Sequence, residues 1–344
     1  MLELLTVKKL VYRLVLGLIL LAVVMLLCSL VGSKDISFKQ VFASFDSSGD
    51  INSDYEIFVH IRLPRIILAA IVGAALACSG VIFQALLRNP LADPYILGIS
   101  SGAGLGAIIA IVSGFSWTLW GRSPIAVFAF VGAIGTVWLV WSIGRVTGKS
   151  SVTGLLLAGV VVNSFFSAMI MFLTSVAKSE QVQATIFWLM GNMSEEKFEI
   201  LWFSGGLVLA GIVALFYLSP ALNAISFGEE DAKSMGISTA KTQTIAFAIA
   251  ASITAIAVSL SGLIGFVGLI IPHAIRLVFG PDHRQLLPLS AIFGAGFLVV
   301  ADTLARVIVA PAQLPVGVVT AIIGGPFFLF LLVKYTRKIG WVNK

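Results

Sequence analysis

Apolar stretches of about 20 residues recur along almost the whole of this chain, and that recurrence limits what it can fold into. A helix of about 20 residues crosses a bilayer core of roughly 30 Å. Hydrocarbon offers no partner to exposed backbone, so such segments resolve as helices that satisfy their own N–H and C=O groups. A water-soluble domain fails on composition. Of 344 residues, 59% are hydrophobic and 11% charged, with a mean hydropathy of +1.06, whereas soluble domains carry about 25% charged residues. The sequence therefore predicts an all-α, polytopic membrane protein with one transmembrane domain over 1–344. Ten helices are expected, near 11–32, 63–83, 95–114, 124–144, 152–176, 199–219, 242–260, 263–279, 286–309 and 316–335. Only Ser261-Gly262 separates the seventh from the eighth.

Lys8, Lys9 and Arg13 precede an apolar run from Leu14 to Val31. The run is long for a signal peptide, and Gly32-Ser-Lys-Asp offers no small-x-small cleavage site, so a retained first span is expected. Leu27 before Cys28 also makes a poor lipoprotein site. Cys28 and Cys78 both lie in apolar runs and imply no disulfide framework. With the N-terminus cytoplasmic, the inner segments hold Lys8, Lys9, Arg13, Arg88, Arg145, Lys149, Lys233, Lys241, Arg276, Arg284, Lys334, Arg337, Lys338 and Lys344. The outer segments hold Lys34, Lys39, Arg62, Arg65, Arg122, Lys178, Lys197 and Arg306. The inner excess follows the positive-inside rule and puts both termini in the cytoplasm. The net charge of +6 is orientation charge, and no nucleic-acid partner is expected.

An internal repeat is visible at an offset of 182. Ile67, Ala69, Ile71, Ala75, Ser79-Gly80, Ile82, Pro90 and Gly98 match Ile249, Ala251, Ile253, Ala257, Ser261-Gly262, Ile264, Pro272 and Gly280. The second and seventh spans run in opposite directions, so the halves are expected to be inverted repeats, a common way to build a transport path.

Between two apolar runs lies a polar turn, Arg88-Asn-Pro-Leu-Ala-Asp-Pro-Tyr-Ile-Leu-Gly98, followed by the small-residue cluster Ser100-Ser-Gly-Ala-Gly-Leu-Gly106. Gly98, Gly102 and Gly106 share one helix face, which suits either close helix packing or the lining of a path. Gln84, Asn89, Pro90, Gly98, Ser101 and Gly102 are the candidate path residues. Asn163, inside the fifth span, faces either a cavity or another helix. Gly144-Arg-Val-Thr-Gly-Lys-Ser150 resembles a P-loop, but three residues rather than four separate its glycines and no strand precedes it. No ATP site and no cofactor are expected in this chain. His60, His273 and His283 are too scattered for a metal site, no nucleophile–base pair stands out, and the chain is not expected to be an enzyme.

The longest inner loop, 220–239, has apolar residues at helical spacing and is broken by Gly228. Glu229, Glu230 and Asp231 suit the start of its second piece. It is either a docking knob for a cytoplasmic partner or an amphipathic interfacial loop. Arg62 and Arg65 flank Pro64 at the outer start of the second span, either snorkelling to the interface or awaiting carboxylates of an external protein. Asp302 and Arg306, four apart on one helix, can pair.

Taken together, several motifs resemble the iron–siderophore, haem and cobalamin permeases of the FecCD family, the membrane subunits of type II ABC importers. They are Arg62-Leu-Pro-Arg65, Gly73-Ala-Ala-Leu-Ala-x-Ser-Gly80, Gln84, Asn89-Pro-Leu-Ala-Asp-Pro94, Leu97-Gly98 and Ser101-Gly-Ala-Gly104. Further matches are Gly228-Glu with Ala232 and Gly236, Gly265-Phe-Val-Gly-Leu-Ile-Ile-Pro-His-Ala-Ile-Arg276, Asp282-His-Arg284, Leu287-Pro288, Ala301-Asp-Thr-Leu-Ala-Arg306 and Leu314-Pro-Val-Gly-Val-Val-Thr320. The resemblance implies ten helices and a homo- or heterodimer of permease subunits. It implies two cytoplasmic ATPase subunits docked on 220–239, with Ser226, Gly228, Glu229, Ala232 and Gly236 at the contact. It also implies an external binding protein held by Arg62, Arg65 and Arg306. Ferric siderophore is the expected cargo, with haem and cobalamin as alternatives in the same family. An ATP-independent secondary transporter would need ionisable coupling residues at mid-membrane, and none stands away from the helix ends.

Overall fold

The computed structural model describes residues 5–32, 53–115, 117–118, 122–146, 152–193 and 197–340. Lys34, Lys39, Lys149, Lys344, Ser33-Lys-Asp and the 147–150 part of the P-loop-like run lie outside them. No strand is present among the described residues. The helices are α1 (Val7–Leu30), α2 (Asp54–Leu86), α3 (Ile99–Ser113), α4 (Pro124–Val146), α5 (Val152–Ser175), α6 (Ser179–Leu189), α7 (Phe198–Tyr217), α8 (Ser219–Phe227), α9 (Glu229–Ser234), α10 (Thr239–Ser261), α11 (Val267–Phe279), α12 (His283–Val307) and α13 (Val316–Gly340). A 3₁₀ turn, Pro94–Leu97, leads into α3. Among the described residues, seven helices (α1, α2, α4, α5, α7, α10 and α12) are long and apolar enough to cross a membrane, and α3, α11 and the Val316–Phe330 part of α13 are shorter apolar segments.

Helices stand near the expected positions, seven of them long enough to span, with three differences. The second helix begins at Asp54, not 63, and is 33 residues long. A proline inside a helix removes one hydrogen bond and crowds the carbonyl four residues earlier. Pro64 is accommodated because Ile57–Arg62 is π-helical, with the Leu63 N–H donating to the Phe58 carbonyl. Arg62 therefore sits within the helix rather than ahead of it. Second, α6 was not expected between the fifth and sixth spans. Its Gln181 Nε2 donates to the terminal carbonyls of Ile111 and Val112 at 3.2 and 3.1 Å, which fastens it to the end of α3. Third, the eighth helix begins at Val267, not 263. Gly262 (φ 67°, ψ −157°) ends α10, and Phe266 takes a left-handed φ of 69°. The Tyr95 hydroxyl holds this break, donating to the Ile264 carbonyl at 2.7 Å and accepting from its N–H at 2.8 Å.

Helices α2, α10 and α12 form the centre; α1, α5 and α7 lie outside it and expose large apolar side chains such as Val161, Met171 and Trp202. Burial between helices in lipid gains little from the hydrophobic effect, so close backbone approach matters more. Gly73 and Gly294 supply it: a Cβ on Gly73 would stand 2.2 Å from the Gly294 carbonyl oxygen. The Cys78 thiol donates to the Leu287 carbonyl further along, so α2 and α12 run antiparallel. Helix α10 is antiparallel to α2 as well, with Phe83 edge-on to Phe247 and the Ser79 hydroxyl donating to the Ala250 carbonyl. The matched segments 67–79 and 249–261 are thus both helical, opposed and in contact. Beyond them the halves diverge, since α2 continues through Gly80 whereas α10 stops at Gly262. Pro90 lies in a turn and Pro272 inside α11.

Candidate functional site

One end of the α1–α2–α12 interface carries a buried charge cluster. Arg65 Nε lies 2.9 Å from Asp302 Oδ1, and Arg306 Nε lies 3.0 Å from Asp302 Oδ2. Arg65 Nη1 donates to Gln313 Oε1 at 2.8 Å, and Arg306 Nη2 to the Thr303 hydroxyl at 3.1 Å. Arg65 Nη2 is buried with no partner among the described residues. Arg62 Nη1 donates to the Ser29 and Leu30 carbonyls, placing a cation on the last turn of α1. The Asp302–Arg306 pair is therefore present, and Arg65 shares the same carboxylate. Arg62, Arg65 and Arg306 are only 4%, 7% and 5% exposed. Arg65 and Arg306 meet on Asp302 while Arg62 rests on the end of α1, and all three are turned inward rather than presented.

The opposite end gathers the polar residues expected to be cytoplasmic. Gly228 divides the 220–239 loop into α8 and α9. Of the loop residues singled out above, Ser226 donates its hydroxyl to the Leu222 carbonyl, and Ala232 is buried. Gly236 (φ 81°) closes α9, and Glu229 pairs with Arg88 at 3.0 Å. Phe227 and Met235, 84% and 68% exposed, stand on this loop as apolar side chains. Three contacts here escaped the sequence reading. Asn223 Nδ2 donates to Asp282 Oδ1 at 2.7 Å, its Oδ1 accepts from the His283 N–H at 2.9 Å, and Asp282 Oδ1 accepts from the Arg284 N–H at 3.0 Å. An Asp just ahead of an apolar helix is an N-cap signal, so Asp282 was discoverable; its tie to Asn223 was not. Burial opposes charge on Asp282, but hydrogen bonds from Arg284 and Asn223 hold its carboxyl below its ordinary range.

Between the ends, a cavity of about 630 Å³ opens along α3, α5 and α6. Its polar wall includes Ser100 and Ser101 of α3, Asn163, Ser167 and Thr174 of α5, and Thr185 of α6; no charged residue lines it. Of the six residues expected along a path, Ser101 reaches this lining and the other five do not. Gly102 faces α4 in a close packing contact, where a Cβ would meet the Thr136 hydroxyl at 1.8 Å. Gly98 likewise looks toward Thr136. Gln84 is buried between α2 and α11, donating to the Gly268 carbonyl and accepting from Arg276. Asn89 and Pro90 form the turn, with Asn89 Oδ1 accepting from the Leu91 N–H. Asn163 faces the cavity. Ile170, Met171, Ile186, Leu189 and Leu263 stand between these polar groups, so most of the cavity surface is apolar, and its volume lies within the range of small-molecule sites, about 300–1,000 Å³. No group of three or more His, Cys, Asp or Glu able to hold a metal is found among the described residues.

A solved metal-chelate-type ABC transporter in an inward-facing conformation superposes with a TM-score of 0.82 at 33% identity, covering 94% of this chain and 99% of that one. The fold is that of an ABC transporter permease. The FecCD transport family profile matches residues 19–334, and the chain belongs to that family. It is 38% identical to the hemin transport system permease protein HmuU of Yersinia pestis, over 95% of this chain and 97% of the relative. It is 44% identical to the cobalamin import system permease protein BtuC of Halobacterium salinarum, over 79% and 72%.

Proposed function

We propose that this chain is the membrane permease subunit of an ABC importer, a ten-helix bundle of two inverted halves with both termini in the cytoplasm. It pairs with a second permease subunit in the bacterial cytoplasmic membrane. Two ATP-binding subunits dock on 220–239 and supply the energy, and an external binding protein delivers the cargo. A ferric siderophore is the favoured cargo, with haem and cobalamin as the alternatives that relatives' names raise.

The observation that carries this reading is a bundle superposing on a metal-chelate transporter, with an uncharged cavity in which Ser, Thr and Asn side chains are set among apolar ones. A path that bound its cargo tightly would trap it. One that offers scattered hydroxyls lets a large polar solute pass when the bundle exchanges outward and inward openings, and the direction comes from the differential stability of those states. Exposed Phe227 and Met235 fit a protein partner on the loop. Docking through Arg62, Arg65 and Arg306 requires the guanidinium groups to turn outward and exchange Asp302 and the α1 carbonyls for the binding protein's carboxylates.

The test is ATPase activity of the complete complex in liposomes, with its binding protein and a panel of ferric siderophores, haemin and cobalamin. One cargo class should stimulate hydrolysis and accumulate inside. Stimulation by none of the panel, or uptake without the ATPase subunits, would refute the reading. Arg62→Glu with Arg65→Glu should abolish uptake while the subunit still inserts; unchanged uptake would remove the docking role.

A further inference from the structure

Helix α12 begins where loop 220–239 touches the bundle, and it does not cap itself alone. The first N–H groups of a helix have no partner within it. Asp282 satisfies one in cis by accepting from the Arg284 N–H at 3.0 Å. Asn223, on α8 and 60 residues away, satisfies another by accepting from the His283 N–H at 2.9 Å. Its Oδ1 also lies 2.7 Å from His283 Nδ1; an amide oxygen only accepts, so Nδ1 carries the hydrogen. The Asn223 amide then donates back to Asp282 at 2.7 Å. Ser219, one turn earlier on α8, donates to the His283 carbonyl at 3.4 Å. Leu222 and Ile225 of α8 are buried as well. A loop that merely covered the surface would not complete the cap of a 25-residue helix.

The far end of that helix carries Asp302 and Arg306, roughly 30 Å away at 1.5 Å per residue. Gly294 presses it against α2 on the way.

We propose that Asn223 is the positioning residue that makes α12 follow α8, so that a displacement of the coupling loop is delivered to the Asp302–Arg65–Arg306 cluster. The inference rests on the reading of 220–239 as the ATPase dock.

The experiment uses the complete complex with its binding protein. In Asn223→Ala, cargo moved per ATP hydrolysed and stimulation by loaded binding protein should fall about tenfold. Unchanged cargo per ATP would overturn the proposal. A swap guards against a folding defect. Asn223→Asp alone sets two carboxylates face to face and should uncouple. Adding Asp282→Asn restores one donor and one acceptor and should return cargo per ATP to within about twofold of the native complex; no rescue would overturn the clamp. Phe227→Asp separates the two readings. If it leaves the ATPase subunits bound, the docking reading fails, whereas the clamp is judged by the swap.

Discussion

Replacing Asp302 is the most demanding test of the charge cluster. Its side chain is 1% exposed and those of Arg65 and Arg306 are 8% and 7% exposed, so water screens none of them. Both guanidinium groups rest on this one carboxylate. Breaking a buried pair costs about 3–5 kcal/mol because the partner is left as an uncompensated charge. Asp302→Ala leaves two such charges beside each other, which argues for the upper end. At about 1.4 kcal/mol per decade, the folded-to-unfolded ratio should fall between a hundredfold and a few thousandfold. Asp302→Asn keeps an acceptor oxygen and should cost less. Arg306→Ala leaves Arg65 and Asp302 as a one-to-one pair and should cost least. Arg88–Glu229 sets the scale: with side chains 57% and 45% exposed, it belongs to the class worth about 0–1 kcal/mol. Unfolding in mixed detergent micelles, titrated with dodecyl sulfate and followed by tryptophan fluorescence, reads these differences. A loss below about 1 kcal/mol for Asp302→Ala, or a larger loss for Arg306→Ala, would show that the cluster does not depend on its carboxylate.

Gly73→Ala should destabilise by about 1–3 kcal/mol, the usual cost of overpacking, because its Cβ would stand 2.2 Å from a backbone oxygen of α12. Gly206→Ala, where nothing lies within 4 Å, should be neutral or stabilising in the same unfolding assay. A pH dependence comes from Asp93, in the turn after α2, where burial pushes the carboxyl up to about 6 despite a hydrogen bond from the Tyr95 N–H. The unfolded value is about 3.9, so the fold favours the protonated form. Its contribution is complete below pH 4 and is lost as pH rises through 6. Thermal stability of the detergent-solubilised subunit should fall between about pH 4 and pH 6, and Asp93→Asn should flatten that slope. An identical slope in both proteins would exclude Asp93 as its source.

Apolar run length alone located helices such as α4, α5 and α7 to within a residue or two, because the cost of bare backbone in hydrocarbon is read from composition. The Gly228 break was equally legible, since it depends on near neighbours. The Asp302–Arg306 pair was visible because its partners are one helical turn apart. Arg65 was not visible as its third member, at 237 residues from Asp302, and neither was Asn223 beside His283. The glycine face of α3 marked close packing but not its direction: Gly102 turned to α4, while Ser100 and Ser101 reached the cavity. Local sequence decides whether a segment is helical and how apolar it is. Which face meets which distant helix, and so which side chains are buried as counter-ions, caps or cavity walls, is decided only when those helices close on one another.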